Sequence, residues 1–453
     1  MRRLLRRAGV LALVLLFLAG VAALASLGDG GESRGPTAST PATTTAALPP
    51  ARSARTVREL QPERVLARVE ALRGLRLRRP PRFVVLTPEQ ARRQVQAAED
   101  REAGGAVTAR EEAVNLSLVT LLGLLPPDVD LDDLAGRITS QGTLGYYDGA
   151  KNEMTIISKG PDLPVGVETT VAHELTHAID DEHFDVFDRV QRLREDGDAE
   201  LAYRSVVEGN ASEVEERYRQ RYRIPQPAPG GDAEQRELLR DLPFGLQLQL
   251  GFPYAIGQTF VDALRSSGAD GQALLARALG SGRPRTTVEI LDPTRWVRRQ
   301  PVVPTPLRPG PILGDGWTRI DGDSIGASDV LAILAPVESE AGSAALVARA
   351  WTGGEYRFYR RGGAAARGCE DPCQSRDAVV GGVAFAAAPD AKAFATQFGR
   401  VLEQHRDATR AGTAVWRVGD GAAAVGVDGA RATFAYAPTP ELAIRLVREA
   451  PAA

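Results

Sequence analysis

The sequence predicts an α+β fold, and three observations indicate it. Apolar residues recur with a helical period through much of residues 57–310. Two β-rich runs joined by a turn interrupt that pattern at residues 143–158. From residue 312 onward, short strand-like runs alternate with helical stretches. We therefore predict a mostly helical domain with a small sheet at residues 57–310, followed by an accessory α+β domain at residues 312–453.

The chain is long enough for both predicted domains. It has 453 residues, of which 43% are hydrophobic, so it can bury two cores. Five prolines within residues 301–311 indicate a linker between the domains. In the second domain the predicted strands lie at residues 346–351, 356–359, 379–386 and 432–436, and the predicted helices at 391–405 and 441–449.

The N-terminal segment is typical of an exported protein. Four Arg lie within the first seven residues, and about twenty uncharged residues follow at 8–27. Residues 1–28 are therefore predicted to be a signal peptide, with a small-residue cleavage site at Ala23-Leu24-Ala25, or an uncleaved membrane anchor. Residues 29–56 are rich in Gly, Ser, Thr, Pro and Ala, which predicts a disordered linker. We expect an extracytoplasmic protein that is secreted or anchored to the cell membrane.

The motif His173-Glu174-Leu175-Thr176-His177 points to a metal site. Two His four residues apart lie one turn apart on one face of a helix, so both imidazoles can reach one ion. The surrounding residues predict an amphipathic helix whose polar stripe faces a cleft. Its apolar stripe consists of Val167, Val171, Leu175 and Ala178.

A catalytic zinc site needs a third protein ligand and keeps a fourth position for water, whose proton Glu174 is placed to accept. A second helix is predicted from Asp198, as its N-cap, to about Arg223. Glu208 borders its buried stripe and is the predicted third ligand. The neighbouring Gly209 would let the backbone pass close to another element, such as the helix of the two His. Glu200, Glu213 and Glu215 could each replace Glu208 as the third ligand.

These residues resemble the gluzincins, zinc peptidases in which a Glu on a following helix completes HExxH. More narrowly, HELTHAIDDEHFDV at residues 173–186 and EGNA at 208–211 are similar to a poorly characterised family of bacterial extracytoplasmic metallopeptidases, which usually reads EGDA. The resemblance implies a zincin-like catalytic domain with His173, His177 and Glu208 as zinc ligands and Glu174 as general base. The family often has His where this chain has Asp292.

Further residues are candidates for supporting roles. The β-rich runs at residues 143–147 and 153–158 flank Asp148-Gly149 and predict a hairpin whose edge strand could hold an extended peptide. Asp181 could orient an imidazole from outside the ligand set. The oxyanion also needs a hydrogen-bond donor. The candidate donors are Tyr146, Tyr147, Tyr203, Tyr254 and His183.

The charge balance and the cysteines limit the function classes. A net charge of −3, from 55 basic and 58 acidic residues, argues against a nucleic acid partner. Cys369 and Cys373 are the only cysteines and predict a local disulfide. The expected partners are a peptide or protein substrate and, if the N-terminal segment is uncleaved, the membrane. The sequence thus predicts a zinc-dependent endopeptidase; the competing hypothesis is a catalytically silent envelope binding or scaffold protein.

Overall fold

The computed structural model describes residues 56–94, 117–125, 144–164, 166–224, 242–362, 373 and 375–452. Its architecture is α+β, as the sequence predicts. The predicted signal or anchor segment and nearly all of the predicted disordered linker lie outside the described residues. Within the described ranges, no helix combines the length and the apolar character needed to cross a membrane.

The first half of the described chain is mostly helical. Its long helices are α3 and α5, which pack against each other; α2 contacts both of them, and α7 contacts α5. The elements in chain order are α1 (Val57–Leu60), α2 (Pro62–Arg73), β1 (Arg82–Leu86), β2 (Gly145–Asp148), β3 (Glu153–Ile157), α3 (Val167–Phe184), α4 (Val186–Arg192), α5 (Gly197–Tyr222), α6 (Phe244–Gly251), a π-helical turn (Phe252–Ile256), α7 (Gly257–Arg265), α8 (Gly271–Leu279), α9 (Thr287–Leu291) and α10 (Pro293–Arg298).

A three-stranded sheet with the order β1-β3-β2 lies in this half. The predicted hairpin is confirmed, because β2 and β3 pair antiparallel around the turn that follows Asp148. β1 was not predicted and pairs parallel with β3. Its β-branched run Val84-Val85, which follows two prolines, is the sequence signal for it. Since β3 is the one described strand that pairs with β2, the other edge of β2 has no strand partner among the described residues and packs against α3.

Helices α3 and α5 run antiparallel with polar pairs along their contact. Tyr218 donates to Glu168, and Glu215 accepts from His173. Further along, Glu208 meets His177 and Asn210 donates to Asp180. From Glu168 to His177 residue numbers rise along α3 while those of the α5 partners fall from 218 to 208, as an antiparallel crossing requires. The two helices are therefore joined by a seam of buried polar contacts.

The second half contains a seven-stranded antiparallel sheet with the order β4-β5-β6-β10-β9-β8-β7. Helices α12 to α14 cover one face, and α15 with residues 305–313 covers the other. The elements are α11 (Gly310–Leu313), β4 (Trp317–Asp321), α12 (Ala327–Leu334), α13 (Ala341–Arg349), β5 (Trp351–Arg361), β6 (Asp377–Phe385), α14 (Ala388–His405), β7 (Thr409–Gly412), β8 (Val415–Val418), β9 (Gly421–Asp428), β10 (Arg431–Ala437) and α15 (Pro440–Glu449).

Most sequence-predicted elements of this half are present, with one correction. Residues 346–351 were predicted as a strand, but Leu346 lies in helix α13 and the strand begins at Trp351. The alanines before Arg349 favour helix over the strand suggested by a single Val. Cys373 is disulfide-bonded, as predicted, while Cys369 lies outside the described residues.

The predicted linker at residues 301–311 packs against the second half. Val303 N–H donates to Thr352 O, and Arg308 N–H donates to Ala450 O. One hydrophobic cluster also continues from the helical half into the sheet half, including Phe260, Trp296, Leu331 and Phe434. The two halves therefore share a core across the proline-rich segment.

Candidate metal centre

Helix α3 places the two His of the motif on its buried side. It begins after Gly166, whose φ of 86° suits glycine, and runs to Phe184. The polar stripe was expected to face a cleft, but His173, Glu174 and His177 are each at most 1% exposed. That expectation is corrected because α5 and strand β2 pack directly on the polar stripe.

Helix α5 carries Glu208 in its middle turn. The N-cap is Asp196, which accepts from Ala199 N–H, and not Asp198 as predicted. Asp198 instead accepts from the backbone and hydroxyl of Thr287. The predicted stripe of Val207, Ala211, Val214 and Tyr218 is buried. This burial turns Glu208, which is 4% exposed, toward α3.

Gly209 permits a close backbone approach, although its neighbour differs from the one expected. A Cβ at this position would lie 2.2 Å from the carbonyl carbon of Gly257. A Cβ on Gly257 would in turn lie 2.1 Å from Ser205 O. The element that approaches is therefore the start of α7, not the HExxH helix. This contact holds the preceding π-helical turn against α5.

Three ligand atoms converge between α3 and α5. His173 Nε2 and His177 Nε2 lie 3.1 Å apart, and Glu208 Oε2 lies 3.4 Å and 3.2 Å from them. Ligand atoms about 2.0–2.1 Å from a tetrahedral zinc lie about 3.3 Å from one another. Among the described residues, His173, His177 and Glu208 are the group of His, Cys, Asp or Glu side chains close enough to hold a metal ion. The residues present therefore fit a zinc ion with three protein ligands.

A carboxylate outside this triangle orients the first imidazole. His173 Nδ1 donates to Glu215 Oε2 at 3.1 Å, which leaves the Nε2 lone pair directed into the triangle. The sequence allows Glu215 as a ligand, but the structure places it behind His173. Glu200 and Glu213, which the sequence also allows as ligands, lie away from the triangle: Glu200 pairs with Arg204 and Glu213 pairs with Arg265.

The second imidazole has a different environment. His177 Nδ1 is buried and has no hydrogen-bond partner in the part of the chain that the structure describes. The sequence predicts Asp181 as a partner of one of the imidazoles, but its carboxylate accepts from Phe187 N–H at 3.2 Å. The carboxylate of Asp181 therefore binds the backbone in the first turn of α4 and not an imidazole.

Glu174 lies beside the triangle and reaches the sheet. Its Oε2 accepts from Tyr147 N–H on the outer edge of β2 at 2.8 Å. Its Oε1 is buried without a hydrogen-bond partner among the described residues. Burial raises the pKa of Glu174 to about 8, and the nearby Glu208 charge adds to the rise. One oxygen is thus fixed by the strand while the other is available to a proton.

The ligand charges favour the ionised carboxylate of Glu208. Burial raises the pKa of Glu208, but the neighbouring imidazoles outweigh burial and lower it to about 2. For His173 burial lowers the pKa, but the hydrogen bonds to Glu208 and Glu215 raise it by more, so the net shift is upward. Glu208 is thus ionised, so it can serve as a charged ligand to a divalent cation.

Of the predicted hydroxyl donors, Tyr254 is the one whose pKa is affected by the charges of Glu208 and Glu174. Burial raises its pKa well above the usual value, and the charges of Glu208 and Glu174 raise it further. It sits on the π-helical turn, a form that is frequent at functional sites. That turn packs on α5, which carries Glu208.

The remaining candidates have structural partners. The hydroxyl of Tyr147 donates to Asn152 Oδ1 in the hairpin turn, and the hydroxyl of Tyr203 donates to Leu279 O. His183 donates to Arg76 O at 2.8 Å. Tyr146 is buried in the small hydrophobic cluster around Ala91. Asp292 caps α10, where it accepts from Thr294 N–H. None of these contacts involves His173, His177 or Glu208.

Comparison with known protein families gives a match in the second half of the chain. A family described as a domain of unknown function, DUF8575, matches residues 316–446, a range that begins one residue before β4 and ends in α15. No curated protein matches this chain. No solved structure matches it either.

Proposed function

We propose that this protein is a zinc-dependent endopeptidase that hydrolyses peptide bonds outside the cytoplasm. The observation that carries the proposal is the buried triangle of His173, His177 and Glu208, with sides of 3.1–3.4 Å, beside Glu174. Three protein ligands leave a fourth position for water or substrate, which is the arrangement of catalytic zinc sites. The resemblance to gluzincins supports the same chemistry, and the N-terminal sequence pattern supports export.

The proposed reaction uses residues that the fold holds in fixed positions. Zinc at the three ligands would polarise the carbonyl of the scissile peptide bond and acidify the attacking water. Glu174 Oε1 would accept a proton from that water and then pass it to the leaving amine. The hydrogen bond from Tyr147 N–H to Glu174 Oε2 would keep the Glu174 carboxylate beside the ligands during both proton transfers. Glu215 keeps His173 Nε2 directed at the ligand position.

Substrate binding in this proposal uses the edge of β2 that faces α3 and pairs with no described strand. The Tyr147 N–H on this edge already donates to Glu174, so a peptide extended along β2 passes next to the general base. Tyr254 would donate to the oxygen that becomes negative when water adds to the carbonyl. Main-chain pairing of this kind binds many peptide sequences, so we expect broad selectivity.

The first experiment compares the wild-type chain with a Glu174→Gln variant. The substitution keeps the ligands, so both proteins should contain about one zinc per chain, measured by mass spectrometry of metals. Cleavage of a mixed peptide library should fall about 10²–10⁴-fold in the variant, because general acid–base catalysis contributes that much.

Two outcomes would contradict the proposal. Absence of zinc from the wild-type protein after supplementation would remove the metal site. Equal zinc content with no cleavage by either protein would favour a catalytically silent binding or scaffold protein. A Glu216→Gln variant is a matched control, because Glu216 lies on α5 and pairs with Arg219. It should retain both zinc and cleavage.

A further inference from the structure

A chain of buried polar groups crosses four helices next to the metal centre. Arg73 of α2 donates from Nε to Asp180 Oδ1 of α3 at 2.8 Å. Asn210 of α5 donates from Nδ2 to Asp180 Oδ2 at 2.5 Å. Arg265 of α7 donates from Nη2 to Asn210 Oδ1 at 3.2 Å, and its Nε lies 3.0 Å from Glu213 Oε2. We call Arg73, Asp180, Asn210 and Arg265 the four-helix chain.

The burial of the four-helix chain is not explained by a gain in stability. Asp180 and Asn210 are fully buried and Arg73 is 1% exposed. Moving two charges out of water costs free energy, and the attraction between them seldom more than offsets that cost. Apolar residues of the same size often hold helices together equally well. Buried polar groups are better at selecting one arrangement of helices, since a shifted arrangement leaves them without partners. The four-helix chain therefore specifies a register.

Two residues of the four-helix chain lie close in sequence to metal ligands, so the register of α3 against α5 also sets the positions of those ligands. Asp180 follows His177 by one helical turn on α3, and Asn210 follows Glu208 by two residues on α5. The contact between Asp180 and Asn210 thus continues the seam in which Glu208 Oε2 lies 3.2 Å from His177 Nε2. A slide of α5 along α3 would break the first contact and separate the ligand atoms of the second.

The side chain of Asn210 has the two functions that this place requires. Its amide nitrogen donates to a carboxylate, and its carbonyl oxygen accepts from a guanidinium. An Asp at the same position has no hydrogen to donate and would oppose Asp180 with a like charge. An exchange of the two residues restores the pattern: Asn at 180 can accept from Arg73 and donate to Asp at 210, which accepts from Arg265.

We infer that Asn210 and Asp180 are positioning residues that set the separation of Glu208 from the two imidazoles. The inference rests on the proposed function, because it concerns the same metal centre. Asn210→Asp should weaken zinc binding about 10–100-fold, the usual loss for residues that orient metal ligands. The exchange variant Asp180→Asn/Asn210→Asp should recover zinc affinity to within about 3-fold of wild type, since it has the same hydrogen bonds.

The test measures zinc affinity by competition with a chelator and the visible absorption of the Co²⁺-substituted full-length protein. Asn210→Ala, which introduces no repulsion, provides a second disruptive variant and should weaken zinc binding about 10-fold. Asp377→Asn is the matched control, because it breaks a buried pair with Arg360 at 2.6 Å in the sheet half. It should lower the melting temperature and leave zinc affinity and the Co²⁺ spectrum unchanged.

The outcomes separate this inference from the proposed function. Wild-type affinity and an unchanged Co²⁺ spectrum in Asn210→Asp and Asn210→Ala would overturn the inference alone. An exchange variant as weak as Asn210→Asp would overturn it as well, because hydrogen bonding would then not explain the loss. Absence of zinc binding by the wild-type protein would instead overturn the proposed function, and the inference with it.

Discussion

The two halves of this molecule bury different kinds of side chain. The contact between α3 and α5 contains imidazoles, carboxylates and an amide, with His173, His177 and Glu208 pointing at one another. The core of the sheet half is made largely of Phe, Val and Ala, with Arg360 and Asp377 as a buried ion pair. Apolar packing is sufficient for folding, so the polar burial in the first half indicates a chemical role. The family match nevertheless falls on the second half.

That difference predicts that metal affinity depends on the first half alone. Replacing His177 or Glu208 by Ala should lower zinc affinity by more than about 100-fold, because each removes a ligand and not merely a residue that orients one. Zinc affinity would be measured by competition with a chelator. Retention of full affinity in Glu208→Ala would exclude it as the third ligand.

The control for these variants lies in the sheet half. His405→Ala removes an imidazole that lies 3.5 Å from Glu340 at the end of α14. It should leave zinc affinity unchanged. A loss of zinc comparable to that in His177→Ala would show that the two halves do not differ in the way the buried residues indicate.

A second comparison concerns two tyrosines, Tyr254 in the helical half and Tyr356 in the sheet half. Tyr254→Phe should reduce kcat by about 10²–10³-fold without changing zinc content, since it removes one donor to the developing oxyanion. Tyr356→Phe in the sheet half loses a hydrogen bond to Asp321 Oδ2 of 2.7 Å and should leave kcat unchanged. Steady-state kinetics on a cleaved peptide measures both. Equal kcat in Tyr254→Phe and wild type would rule out the assigned role.

The smallest expected effect concerns two helical glycines. Gly209→Ala places a Cβ 2.2 Å from the backbone of Gly257, so it should destabilise the fold by about 1–3 kcal/mol. Gly342→Ala in α13 meets no atom within 4 Å and should stabilise it by about 0.5–1 kcal/mol. Urea unfolding measures both changes. Equal stability of the two variants would contradict the close crossing of α5 and α7.

The local elements of the candidate site were predictable from the sequence. The spacing of His173 and His177 places both on one helical face, and the stripe through Val207 and Val214 orients Glu208. The turn at Asp148-Gly149 between β-rich runs indicated the hairpin. These features depend on interactions between residues that are close along the chain, and helical and strand periods make such interactions visible in a sequence.

The partners of those residues were decided by the tertiary structure. The sequence alone left Glu215 as a possible ligand, offered Asp181 as the partner of an imidazole, and did not relate Tyr147 N–H to Glu174. It also did not indicate that Asn210 would join Asp180 to Arg265. These contacts depend on the register in which α3, α5 and β2 pack. Register is fixed by the burial of whole helix faces, which no short sequence pattern specifies.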